Sequence, residues 1–302
     1  MDIRKLLINA AGCHHPLAQV LIDRLVQDLL MFELPPLFGR LDQVETVVSE
    51  LAAVSVPQLV DVGAEWQELC VNTAHGVVKP AVRIRGQRAH GPLLIWHHGA
   101  GEIPVETALS GILNAGPVPA TVAVVRAPNH QTHRGYASQL RTARGAVLMM
   151  SGSAAAMEAL CRWWQGPVVV SGVSLGGMIA MFHALRWGST QRERVQWAPI
   201  AGGPDLAGVV RRSAFSRLIS ASTRHDPRID AVGAGITALP PELAARIVPL
   251  LGLWDQVQPL RAHLAAYRAR GVRPVVCRRG HIGLAVDGSR VREHLCPLLR
   301  GC

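Results

Sequence analysis

The chain runs to 302 residues, 49% of them hydrophobic, with 29 glycines, 20 prolines and charged side chains at 17%. That composition excludes disorder, collagen-like repeats and coiled coils, and allows one large or two modest domains around a sizeable core. The formal charge of +10 comes almost wholly from dispersed arginines, Lys5 and Lys79 being the only lysines, and aromatics make up 4%; no basic run alternates with stacking rings, so neither nucleic acid nor a membrane is an expected partner.

Leu6 to Cys13 (LLINAAGC) has the look of a lipoprotein processing site, but the apolar stretch is short and Asp2 sits in a lead-in that should be basic. The chain is expected to be cytoplasmic. Six scattered cysteines (Cys13, Cys70, Cys161, Cys277, Cys296, Cys302) with no CxxC agree with a reducing compartment. No run approaches the about 18–20 uncharged apolar residues of a spanning helix. Leu17, Leu21, Leu25 and Leu29 recur every four residues and predict an amphipathic helix stopped by Pro35 and Pro36. A second helix is predicted through Leu41, Val44, Val48 and Leu51, ending before Pro57. Residues 1–60 therefore form a helical extension expected to pack on the main domain, over the sheet edge or in a homodimer contact.

From Glu65 the pattern becomes an alternation. Glu65–Val71 and Lys79–Ile84 are expected to pair across the Asn72–Val78 turn. Short apolar runs follow at Leu93–Trp96, Thr121–Val125, Pro167–Ser171, Val195–Ala198, Ile247–Leu253 and Pro274–Cys277. Helix-length segments separate most of them: Glu102–Leu113, Tyr136–Trp164, Leu175–Trp187 and Gln258–Ala269. Continuous apolar strands divided by helices predict an α/β domain over residues 61–302, a doubly wound, mainly parallel sheet with helices on both faces. Residues 205–245 break the alternation and are expected to form a small cap.

Two loops carry chemistry in their own local pattern. Val168-Val169-Val170-Ser171-Gly172-Val173-Ser174-Leu175-Gly176-Gly177 is G-x-S-x-G between an apolar strand and a helix, the context of a nucleophile elbow. A serine on so tight a turn is strained, and the positions two before and two after it must be nearly free of side chain. Upstream, Leu93–Trp96 leads into His97-His98-Gly99-Ala100-Gly101-Glu102. A glycine-rich loop there can aim a backbone N–H at a developing oxyanion, with a second donor from the residue after the nucleophile: Ala100 or Gly99, and Leu175. His97 and His98 shape that loop; adjacent side chains diverge, and no third ligand is spaced to make a metal site. His183 falls inside the helix after Ser174 as a packed residue, and His130 and His133 read as loop residues on the active-site rim.

At these residues the chain resembles the α/β-hydrolase family, over about residues 65 to 300. The resemblance implies an acid and then a histidine in later loops. Gly252-Leu253-Trp254-Asp255-Gln256-Val257 looks like the acid turn and Arg278-Arg279-Gly280-His281-Ile282-Gly283 like the histidine loop. Asp226, Asp230 and Glu242 lie in the cap segment, and Asp287 lies past the histidine, so all are poorer acids. The implied catalytic set is Ser174, Asp255 and His281, working without metal or cofactor, with Ala100 (or Gly99) and Leu175 as the oxyanion hole. His98, Trp254 and Arg211 are the candidate substrate contacts, and the arginines at 211, 212, 217, 278 and 279 suggest an acidic group on the substrate. The expected reaction is hydrolysis of small to medium carboxylic esters or thioesters. An amidase or peptidase, with Glu102 recognising an amine, and a catalytically silent binding protein of the same fold are the alternatives.

Overall fold

The structure is a computed structural model that describes residues 15–31, 47–85, 91–190, 193–233 and 239–301. The segment Leu6–Cys13, the prolines at 35 and 36, Leu41, Val44 and Cys302 lie outside the described residues. In chain order the elements are α1 (Pro16–Met31), α2 (Val47–Ala53), β1 (Gln67–Glu68), β2 (Val71–Thr73), β3 (Gly76–Val78), β4 (Ala81–Arg85), β5 (Leu93–His97), α3 (Thr107–Asn114) and β6 (Thr121–Arg126). Then come α4 (His133–Leu140), α5 (Ala143–Trp163), β7 (Val168–Val173), α6 (Leu175–Trp187), β8 (Val195–Ile200) and α7 (Leu206–Arg212). After a 3-10 turn at Ala214–Leu218 follow α8 (Ala221–Arg224), α9 (Arg228–Gly233), α10 (Pro241–Ala244), β9 (Leu250–Gly252), α11 (Leu260–Arg268), β10 (Val275–Cys277), α12 (His281–Val286) and α13 (Gly288–Arg300).

Eight strands form one sheet in the order β1-β4-β6-β5-β7-β8-β9-β10, and β2 and β3 form a separate hairpin. The pairings β1–β4 and β4–β6 are antiparallel, and those from β6 to β10 are parallel. The expected pairing of the first strands holds, Gln67 facing Val82 and Glu68 facing Ala81, with the intervening turn folded into the small hairpin. Every residue of β5 and β7 is buried, which is why these strands read as unbroken apolar runs. Alternate side chains feed two cores. Leu93, Ile95, Val168 and Val170 pack on the α5–α6 side, while Leu94, Trp96, Val169 and Val173 pack with Leu109, Ile112, Leu295 and Leu299 of α3 and α13.

Two expectations are corrected here. The span Tyr136–Trp164 is two helices, because Thr142 adopts an extended backbone and its side chain accepts from Gly145 N, capping a new helix. Helix α1 forms as expected but docks the other way round. Leu17, Leu21 and Leu25 are 67%, 64% and 47% exposed, while Gln19 and Asp23 are fully buried. The leucine spacing specified a helix, but the surface beneath it offers backbone amides rather than an apolar groove.

Candidate active site

The site lies at the carboxyl ends of the parallel strands, where ligands bind in open α/β sheets. Ser174 joins β7 to α6 at φ 57° and ψ −113°, a left-handed conformation that a side chain rarely adopts. The glycines around it fit close backbone approaches. A Cβ on Gly172 would sit 2.5 Å from the His97 carbonyl oxygen, one on Gly176 2.3 Å from the same oxygen, and one on Gly177 2.7 Å from that of Ile200. The end of β5 and the end of β8 thus press against the turn from both sides and hold the serine up. Its own amide donates to Ile200 O at 2.8 Å.

Asp255 follows β9 and His281 opens α12 after β10. His281 Nε2 lies 2.9 Å from Ser174 Oγ, and His281 Nδ1 lies 2.7 Å from Asp255 Oδ2. All three side chains are buried, Ser174 retaining 8% exposure. The second Asp255 oxygen accepts from Val257 N at 2.9 Å and Gln258 N at 2.6 Å, which fixes the carboxylate's rotation. Burial alone would lower the basicity of His281, but the charge and hydrogen bond of Asp255, helped by Asp23, raise its pKa above the ordinary value. A strained serine after a central strand, followed in chain order by an acid and a histidine that the fold brings to it, is the constellation of one fold.

The fold is that of the α/β-hydrolases. No protein-family model and no curated protein matches the chain in sequence. Among solved structures, an esterase from Pyrobaculum calidifontis aligns at 14% identity over 84% of this chain and 88% of that one, with a TM-score of 0.49. An acylaminoacyl peptidase from Pyrococcus horikoshii aligns at 13% identity over 78% of this chain and 40% of that one, TM-score 0.49. A thermophilic esterase from Thermogutta terrifontis aligns at 18% identity over 78% and 98%, TM-score 0.44.

Within this α/β-hydrolase fold the loop after β5 lies against the nucleophile, a Cβ on Gly99 falling 3.6 Å from that of Ser174. The Gly99 amide is already engaged, donating to Glu102 Oε2 at 2.7 Å, and the other Glu102 oxygen accepts from Ala108 N in the first turn of α3, also at 2.7 Å. Glu102 therefore ties the loop to the following helix. Burial pushes its pKa up to about 7 against the opposing pull of those amides. His98 is fully buried, its Nδ1 2.8 Å from Gly99 O and its Nε2 accepting from Ala127 N at 3.0 Å. The rings of His97 and His98 do not diverge as expected but stack with centroids 4.4 Å apart, and the column continues through His130 at 4.0 Å and Tyr136 at 4.4 Å.

The candidate substrate contacts fall in different settings. Trp254 is half-buried beside the acid, its amide bonded to Arg279 O. Arg211 binds Asp230 and the carbonyls of Arg224 and Asp226, tying α7, α8 and α9 together. Arg212 pairs with Asp205 and Arg279 with Asp287, so these guanidiniums already have carboxylate partners. Three of the rival acids are likewise engaged: Asp226 holds Arg228, Asp230 holds Arg211, and Asp287 caps α13.

Among the described residues one cluster has metal-ligand chemistry, Glu158, Cys161 and His183, all buried. Trp197 donates to His183 Nδ1 at 2.9 Å, which leaves the ring proton on Nε2, facing Glu158 Oε2 at 3.2 Å. The nitrogen that would bind a metal is thus a donor to a carboxylate, and His183 is the packed residue that its helical position suggested.

The sequence pattern missed Gln19 and Asp23 in α1. Asp23 Oδ2 accepts from His281 N at 2.8 Å and from Gln256 N at 3.2 Å, Asp23 Oδ1 from Ile282 N at 2.9 Å, and Gln19 Oε1 from Gly280 N at 2.8 Å. For Gln19 the available signal was Gly283, whose added Cβ would meet that side chain.

Proposed function

We propose that the protein is a serine hydrolase that cleaves carboxylic esters or thioesters of small to medium size through an acyl-enzyme. What carries this reading is the unbroken run Asp255 Oδ2–His281 Nδ1 and His281 Nε2–Ser174 Oγ, at 2.7 and 2.9 Å, ending on a serine held in a strained turn.

In the proposed reaction Ser174 Oγ attacks the carbonyl carbon while His281 Nε2 takes its proton. Asp255 keeps the Nδ1–H tautomer and stabilises the imidazolium as it forms. The carbonyl oxygen becomes an oxyanion bound by the amides of Ala100 and Leu175. Leu175 opens α6, where the first amides have no intrahelical acceptor, and Ala100 is next to the Gly99 amide that Glu102 holds. Each such donor contributes about 3–4 kcal/mol to the transition state. The imidazolium then protonates the departing alcohol or thiol. Water, deprotonated by the same histidine, adds to the acyl-enzyme, and collapse of the second tetrahedral intermediate releases the acid and the serine. Glu102, which an amine-recognising peptidase would need free, is spent on two backbone amides, so esters are the favoured class.

A fluorophosphonate probe should label the full chain at one serine, and Ser174→Ala should abolish both the labelling and the hydrolysis of p-nitrophenyl acetate and butyrate, a loss of about 10⁶-fold in kcat. Labelling that survives in the alanine variant rejects the nucleophile.

A further inference from the structure

We propose that Gln19 and Asp23 of α1 are positioning residues for the reaction, gripping the backbone of the histidine loop and the acid loop together so that His281 meets both Ser174 and Asp255. The inference rests on the serine hydrolase reading above.

Four backbone amides converge on these two side chains: those of Gly280, His281 and Ile282 from the histidine loop, and that of Gln256 next to the catalytic acid. One Asp23 oxygen, Oδ2, spans both loops by accepting from His281 and Gln256. The partners lie at the far end of the chain, so the closing of the site depends on α1 docking. The histidine loop is shaped to receive these side chains. A Cβ on Gly280 would stand 2.9 Å from Asp23 Oδ2, and one on Gly283 only 2.0 Å from Gln19 Oε1. Gly283 thus has a purpose that the triad does not supply: it leaves room for α1.

A fully buried carboxylate on a helix whose Leu17, Leu21 and Leu25 face solvent is costly unless its charge is used. Three amide donors compensate part of that cost. The rest is visible in Asp23 itself: burial first, then the neighbouring charge of Asp255, push its pKa up to about 6. Its charge acts on His281 as well. The ionisable groups facing His281 are Asp255 on the acid loop, Asp23 on α1 and His263 on α11. The two carboxylates both favour the imidazolium, so Asp23 holds the catalytic base in place and strengthens it.

The test uses the full chain, with active sites counted by fluorophosphonate labelling so that misfolded protein drops out. Asp23→Asn and Asp23→Ala should lower kcat per labelled site by about a hundredfold with KM nearly unchanged, the scale of a misplaced catalytic group. Asp23→Asn should also move the acidic limb of the kcat/KM profile to lower pH, because one carboxylate near His281 is gone; a purely structural role would leave that limb in place. Gly283→Ala should impair turnover, and combining it with Gln19→Ala should add no further loss, since both act on one contact. Leu21→Gln, on the outward face of α1, serves as the control at wild-type activity. If the wild-type chain labels at Ser174 while the Asp23 variants turn over at the wild-type rate with an unmoved acidic limb, the positioning role is overturned and the hydrolase reading stands. If the wild-type chain does not label at Ser174, the hydrolase reading fails and the inference falls with it.

Discussion

Glu102 shows how one side chain can brace the loop to which the proposed reaction assigns an oxyanion donor. Its two oxygens hold the amides of Gly99 and Ala108, so the loop after β5 is pinned to α3 on either side of the cis bond between Ile103 and Pro104. Glu102→Gln keeps the shape but turns one acceptor into an NH2 group that opposes a backbone N–H. Kinetics on p-nitrophenyl esters should show kcat falling by about tenfold or more with little change in KM, as expected when donors to the transition state shift. Ser174, Gly172, Gly176 and Gly177 were legible in the sequence because their constraint is local: a tight turn needs small residues at fixed offsets. Asp255 and His281 were found only through the resemblance, since nothing within a few residues of either announces its partner. Asp23 left no trace in the pattern, because a buried carboxylate reaching amides at the other end of the chain looks like any polar position on an amphipathic helix.

The secondary-structure elements repeat that division. β5 and β7 were evident as apolar runs because both faces of the sheet are covered there, β8 was evident despite the half-buried Gln196 within it, and α6 was evident from the elbow that starts it. The break between α4 and α5 was missed because its cap, Thr142, is an ordinary polar residue and the nearby Gly145 lies inside the new helix rather than in the break. Helix α1 is the clearest case of a pattern that gives an element but not its docking face. Leu17, Leu21 and Leu25 of its leucine period point outward, and the face that touches α12 carries Gln19 and Asp23. The consequence for stability reverses the usual rule for amphipathic helices. Leu17→Ala and Leu21→Ala should change unfolding free energy by less than about 0.5 kcal/mol, as for ordinary surface sites. Gln19→Ala, which strands the buried amide of Gly280, should cost about 1–3 kcal/mol. Urea denaturation of the three variants checks the order, and a larger loss at either leucine would mean that this face is covered in solution.

At the scale of the whole molecule the buried ionisable groups set how stability varies with pH. His97, His98, His130 and His263 are all buried, and burial lowers each of their pKa values, to about 4 for His97 and His263 and about 3 for His130. In the unfolded chain these rings take up protons near 6.5, while in the fold they do not. Their contribution is therefore present above 6.5 and is lost as the pH falls toward their folded values. Asp23 and Glu102 run the other way. Their folded values of about 6 and 7 stand above the ordinary 3.8 and 4.5, so between those limits the fold holds a proton that the unfolded chain has released, and stability falls as the pH rises. Between about 6 and 4.5 four imidazoles oppose two carboxyls. At about 1.4 kcal/mol per group and pH unit, the histidines win by about 3 kcal/mol for each unit of acidification. Unfolding free energy should therefore peak close to neutrality and fall steeply below pH 6, above the range in which ordinary carboxylates protonate. Thermal melts across pH 4.5–8 measure this, and His263→Phe, which removes one of the four rings and so half of the net two-group excess, should flatten the acid slope by about half. A flat profile down to pH 4.5 would mean that these rings accept protons inside the fold.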